Sequence, residues 1–234
     1  MPDYQSAPVA AGMAAQAFQR RSRIAAGERP IGWKLGFGTP AALAKLALSG
    51  PLVGYMMEKS LLASGAEADL SGWVKPVAEP EIAVRIGTDV ADGAAFTPAA
   101  IEAFAPAIEL ADLFFAPDDA EKILADNIFH RFVLHAPFRP AGAGFDWSAL
   151  RGTVTRNGEV HASVDDVEAN TGRFEAILRT CADTLAAGGE HLRKGDIVIL
   201  GSVVPPIFLA PGDAEVAFEI QGAGRVSARL RSGG

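Results

Sequence analysis

The stretch VAEPEIAVRI, Val77 to Ile86, decides how the rest of the chain is read. Its β-branched and small residues predict a strand, and side chains alternate across a strand. Glu79 and Glu81 therefore share one face, while Ile82, Val84 and Ile86 share the other and suit a core. Two carboxylates side by side on a half-buried face repel unless a proton or a cation lies between them. A third acid, Glu109, stands in a similar apolar run, PAIELADLFF. Three carboxylates from two strands form a candidate oxygen-ligand set for one hard divalent cation. The alternative is an edge strand beside Pro80 whose two glutamates simply face water.

The 234 residues fit one large domain or two small ones. With 49% hydrophobic and 21% charged residues there is ample apolar material for a core. The net charge of −7, 21 basic against 28 acidic residues, argues against nucleic acid as a partner. A small anionic substrate remains compatible, because a local cation can attract it. Cys181 is the single cysteine, so no intrachain disulfide forms, and its helical context predicts a buried, inert thiol. No apolar run is long enough to span a bilayer, and MPDYQSAPVAAG lacks the basic segment and apolar core of a secretion signal. A cytoplasmic location is the resulting expectation.

Working outward, residues 9–26 are Ala-rich, end in a basic turn and predict a helix. Ile31 to Gly38, IGWKLGFG, predicts a short strand with Lys34 either partly buried or aimed into a pocket. Thr39-Pro40 opens a helix, and Thr97-Pro98 predicts another that runs to Pro106. Asp118 and Asp119 open a helix closed by Asp126 and Asn127, and Phe129 to Ala136 reads as a strand. Asn157-Gly158 is a two-residue hairpin signal. A helix is predicted over 167–185, and the remainder is strand and turn. Strands that are not separated one by one by helices argue against a doubly wound parallel sheet. The expectation is an α+β fold: a rolled, barrel-like mixed sheet over 31–234 with peripheral helices, preceded by an N-terminal helical arm over 1–30. Phosphate-binding GxxxxGK[ST], complete GxGxxG, GxSxG and HExxH motifs are all absent.

Taken together, IGWKLGFG, AEPEIAVRI, PAIELAD, ADN, KGDIVILGS and PGDAEVAFEIQGAGRVSARL resemble the fumarylacetoacetate hydrolase superfamily over about residues 16–230. The likeness is to its hydratase and decarboxylase branch, which includes 2-keto-4-pentenoate hydratase and 4-oxalocrotonate decarboxylase. The resemblance implies a mixed β-roll holding Mg²⁺ or Mn²⁺ on Glu79, Glu81 and Glu109. It implies catalytic roles for Lys34 and Glu79, with Lys34 neutralising substrate charge or relaying a proton. The substrate side is expected to be formed by Lys34, Leu35, Asp126, His130, Arg131, Gly201 and Ser202. The implied substrate is a small 2-oxo acid or its dienol from aromatic catabolism, and the implied assembly is a homo-oligomer of at least two chains.

The chain departs from that pattern in four places. Its N-terminal region is short, and Ile128-Phe129-His130-Arg131 is bulky and basic where the branch has small residues. Leu200 stands where threonine is frequent, and Asn170-Thr171-Gly172 replaces Asn-Pro-Leu. A hydratase is the favoured reading. The alternatives are a decarboxylase, a C–C hydrolase or acylpyruvase, and a non-catalytic 2-oxo acid binding protein. The hydrolase is disfavoured because no histidine precedes His130.

Overall fold

The computed structural model describes residues 3–231. Two sheets carry the fold. The larger, nine-stranded sheet runs in the order β2 (Leu52–Met57), β1 (Pro30–Gly36), β11 (Ile197–Ser202), β5 (Pro76–Ile86), β6 (Ile101–Asp112), β7 (His130–His135) and β3 (Leu61–Ala63). The short strands β12 (Ile207–Phe208) and β8 (Arg139–Pro140) pair with β5 and β6. The second sheet orders β10 (Glu159–Val164), β9 (Gly152–Arg156), β13 (Glu215–Ile220), β14 (Gly224–Arg231) and β4 (Glu67–Asp69). Among the described residues four α-helices flank them: α1 (Ala7–Ala25), α2 (Pro40–Leu46), α3 (Ala120–Ala125) and α4 (Phe174–Ala187). The large sheet curls into a half-barrel, the α+β β-roll expected from the sequence.

The period-2 reading of β5 holds. Ile82, Val84 and Ile86 join Ile108, Leu110, Val198 and Leu200 in the main core, packed against Val216, Phe218, Val226 and Ala228 of the second sheet. The opposite face carries the glutamates and a smaller cluster of Met56, Ala83, Ala107, Val133 and Ile199. The edge-strand alternative fails, because β5 lies between β11 and β6. A proline inside a central strand needs a local break in the ladder, and Pro80 faces the gap between β11, which ends at Ser202, and β12, which pairs from Ile207 with Ala78. The register of β11 slips between Ile199 and Ser202, opposite Ile82, which is a β-bulge.

Some predicted boundaries shift. Thr97-Pro98 opens only a 3₁₀ turn (Pro98–Ala100), and the predicted helix is instead the start of β6. The long antiparallel pairing with β5 outweighs the local capping signal there. The helix predicted over 167–185 begins later, at Phe174, after turns that include Gly172. Asn157 and Gly158 both take positive φ, as the hairpin signal requires.

Helix α1 lies against the body of the protein. Gln16 and Gln19 donate to the carbonyls of Leu124 and Ala125, which have no partner within α3. Gly12 allows that approach, since a Cβ there would lie 2.7 Å from Leu124 Cβ. Arg20 stacks over Trp33 and pairs with Glu190 at 2.7 Å. Cys181 is buried in α4, and burial pushes its thiol pKa up. No helix among the described residues is long and apolar enough to cross a membrane.

Candidate metal centre

Register places the acids. Glu79 on β5 stands directly opposite Glu109 on β6, and Glu81 follows on the same face. One carboxylate oxygen from each of the three lies within 4.8 Å of the others. The bulge in β11 turns the Gly201 N–H out of the ladder, and it donates to Glu81 Oε2 at 2.7 Å.

Lys34 reaches the same point from β1. It is 1% exposed, and Nζ donates to Glu109 Oε1 at 2.5 Å and to the Ile128 carbonyl at 3.0 Å. Its stem passes over Gly54, where any Cβ would lie 2.8 Å from Lys34 Cγ. His130 approaches from β7, its Nδ1 lying 2.7 Å from Glu109 Oε1 and its Nε2 3.0 Å from Ser60 Oγ. The ionised Glu109 carboxylate selects the tautomer in which Nδ1–H donates to it.

The segment that delivers the Ile128 carbonyl is strained. Asn127, Ile128 and Phe129 take φ of 55°, 56° and 60°, three consecutive left-handed residues of which one is β-branched. The turn is held from outside. The Asn127 side chain accepts from the Tyr55 N–H and donates to the Tyr55 carbonyl, both at 2.8 Å. Backbone strain of this kind persists only where neighbours over-determine it.

The three carboxyls ionise differently. Burial first, and then the charge of Glu109, push Glu79 up to about 7. Burial and both neighbouring glutamates raise Glu81 well above the ordinary carboxylate range. Burial alone would raise Glu109 as well, but the Lys34 ammonium and the His130 hydrogen bond outweigh it and hold Glu109 low. Burial lowers the His130 pKa, against the pull of Glu109, so the ring is neutral near neutral pH.

This donor set fits a divalent cation. Fully ionised, the three carboxylates and Lys34 sum to −3 + 1 = −2, the charge that a divalent ion cancels. Glu109 Oε2 is buried with no hydrogen-bond partner, an arrangement that a bound cation would complete. All-oxygen ligation suits a hard ion.

Lys34 and Glu79 line a cavity of about 170 Å³ whose other walls include Phe37, Leu113, Phe129 and Phe208. Two larger clefts, of 280 and 340 Å³, flank α1 and contain none of the three glutamates. The remaining predicted substrate contacts are dispersed. Leu35 points into the main core, because it alternates with Lys34 along β1. Gly201 and Ser202 act on β5: the glycine N–H holds Glu81, and the serine hydroxyl donates to the Pro80 carbonyl at 3.3 Å. His130 is spent on Glu109 and Ser60. Arg131 lies over the Phe114 ring and donates to the His130 carbonyl. Asp126 caps α3, its Oδ2 buried without a hydrogen bond. Ser60, which the sequence did not single out, touches His130, and the Ile128 carbonyl, noted in the sequence only within the bulky 128–131 segment, accepts from Lys34.

This arrangement of curled sheet, paired glutamates and buried lysine defines an acidic metal-site β-roll. The chain belongs to the fumarylacetoacetate (FAA) hydrolase C-terminal family, whose model matches residues 37–231. A 4-oxalocrotonate decarboxylase of a Pseudomonas species is 30% identical over 223 residues, covering 88% of this chain and 80% of that one. A 2-keto-4-pentenoate hydratase of Paraburkholderia phymatum is also 30% identical, with the same coverage of both chains. The solved structure of 4-oxalocrotonate decarboxylase from Pseudomonas putida G7 with magnesium and adipate has a TM-score of 0.85 at 25% identity, over 99% of this chain and 90% of that one. The metal in that structure, together with the triad seen in this one, supports a divalent ion.

Proposed function

We propose that this protein is a divalent-metal-dependent lyase acting on a small 2-oxo acid or its enol, and that its reaction is hydration of a 2-hydroxy-2,4-dienoate. The observation that carries the reading is the triad Glu79, Glu81 and Glu109 beside a buried lysine at the wall of a small cavity. These three residues would hold Mg²⁺ or Mn²⁺, which supplies Lewis-acid polarisation of the acid's 2-oxo group. Lys34 has three N–H donors. Two are used on Glu109 and Ile128, and the third is left for the substrate. The ammonium thus offsets the charge of the acid and holds a proton next to its polar end. Glu79 is the one carboxylate of the triad that lines the cavity, and it is assigned both a ligand and a catalytic role. In the hydration, the dienol ketonises to an unsaturated 2-oxo acid, and water then adds across the remaining double bond. The protein is read as a homo-oligomer of at least two chains, which light scattering checks.

A decarboxylase is the second reading, favoured by the high structural overlap with 4-oxalocrotonate decarboxylase. The same polarised 2-oxo group would accept the electron pair released as CO₂ leaves. An ultraviolet assay with Mg²⁺ or Mn²⁺, run beside a chelated control, separates the two. Metal-dependent loss of dienol absorbance with a hydroxy-oxo acid product and no CO₂ is expected. CO₂ release would establish the decarboxylase, and absence of turnover across dienols and oxo acids would overturn both.

A further inference from the structure

The cavity beside Lys34 and Glu79 is chemically lopsided. Its polar end holds both of its charged residues, and the only other polar side chain in its lining is Thr39. That hydroxyl is the N-cap of α2, where it accepts from the Ala42 N–H at 3.3 Å, and its own O–H is a single neutral donor. The far walls are Phe37, Leu113, Phe129 and Phe208. The apolar surface continues outward, since Phe208 is 49% exposed.

The two basic residues that a sequence reading would offer to a second carboxylate are engaged elsewhere. His130 is held between Glu109 and Ser60, and Arg131 lies over Phe114 with its guanidinium on the His130 carbonyl. Neither belongs to the cavity lining. Lys75 sits over the Phe208 ring at 4.7 Å and is also outside the lining. A carboxylate driven against these walls would lose its water and find no cation and at most the one neutral hydroxyl of Thr39, which is unfavourable, whereas an alkyl or alkenyl end gains from the same burial.

Resting on the metal-dependent 2-oxo acid reading above, we propose that this site takes acids with an apolar far end and discriminates against those ending in a second carboxylate. The substrate class is thus a monocarboxylic 2-oxo acid or its dienol.

The test uses two saturated probes of equal chain length, 2-oxohexanoate and 2-oxoadipate, titrated calorimetrically into the full chain with Mg²⁺ and again with chelator. Metal-dependent binding of 2-oxohexanoate at least about 30-fold tighter than that of 2-oxoadipate is expected. Equal or tighter binding of 2-oxoadipate, in the presence of metal, overturns the tail assignment and leaves the metal-dependent reading intact. Failure of both acids to bind in a metal-dependent manner overturns that reading, and the tail assignment with it. Phe208→Arg adds a cation at an exposed part of the wall, where the fold tolerates it, and should narrow the gap at least about tenfold by improving 2-oxoadipate. Lys75→Met should leave the preference unchanged. A preference that disappears in Lys75→Met, or fails to narrow in a folded Phe208→Arg, counts against the assignment.

Discussion

Metal binding should displace protons from the glutamate triad, so the stabilisation by Mg²⁺ should grow with pH. Without metal, Glu79 and Glu81 have pKa values raised by burial and by neighbouring carboxylates. Their neutral forms suit the folded state, so their contribution is fully present below the ordinary value of 4.5 and is lost as pH rises through about 7 and beyond. Glu109 runs the other way: it is held low, its contribution is present above 4.5, and it stays ionised throughout a neutral titration. His130, lowered by burial, costs stability below its ordinary 6.5, where the unfolded chain takes up a proton. That cost is common to the metal-loaded and chelated proteins and cancels in their difference. From about pH 5.5 to about pH 7.5, release of the Glu79 proton alone should strengthen metal binding roughly 25-fold, about 2 kcal/mol. Glu81 adds up to about as much again, and at about 2–4 °C per kcal/mol for a chain of this size the melting gap widens by roughly 5–15 °C. Differential scanning calorimetry at matched ionic strength, with Mg²⁺ in one series and chelator in the other, measures it. A gap that stays constant across that range would show that no proton is displaced and that the triad is wrongly read. The absence of any gap would remove the metal site.

Three substitutions probe the same centre. Glu81→Gln removes charge while keeping shape, so stoichiometric Mg²⁺ binding and activity should be lost while the chelated protein melts no lower than wild type at alkaline pH. One retained equivalent of Mg²⁺ by calorimetry would refute the ligand assignment. His130→Ser takes the N–H from Glu109 and should cost about 1–3 kcal/mol in urea unfolding and weaken metal binding roughly 10–100-fold. Preference among oxo acids should not change, because His130 is outside the cavity lining; a changed preference would place it in the pocket after all. Gly54→Ala pushes a methyl against the Lys34 stem and should cost about 1–3 kcal/mol with a fall in kcat. Unchanged kcat would show that Lys34 does not need its present path.

Much of this was legible in the chain itself. The alternation in Val77–Ile86 set the two faces of β5, and placed Glu79 and Glu81 together on the face away from the main core. A period of two leaves no other choice once the segment is extended. Asn157-Gly158 likewise named its own turn. Pairing between distant segments was not legible, because register depends on partners that local sequence does not specify. Only the β5–β6 ladder sets Glu79 opposite Glu109, and it also converts the helix predicted from Thr97-Pro98 into strand. Only the bulge opposite Ile82 turns the Gly201 N–H onto Glu81. Nothing local in Asn127-Ile128-Phe129 announces three left-handed residues: asparagine tolerates that conformation, isoleucine resists it, and contacts from Tyr55 and Lys34 enforce it. The sequence by itself determined which residues carry the charge and which face of the strand they occupy. The tertiary structure decided which of them meet, and it turned His130 toward Glu109 and Ser60, outside the lining of the cavity beside Lys34 and Glu79, because burial demands that each buried polar atom find a partner.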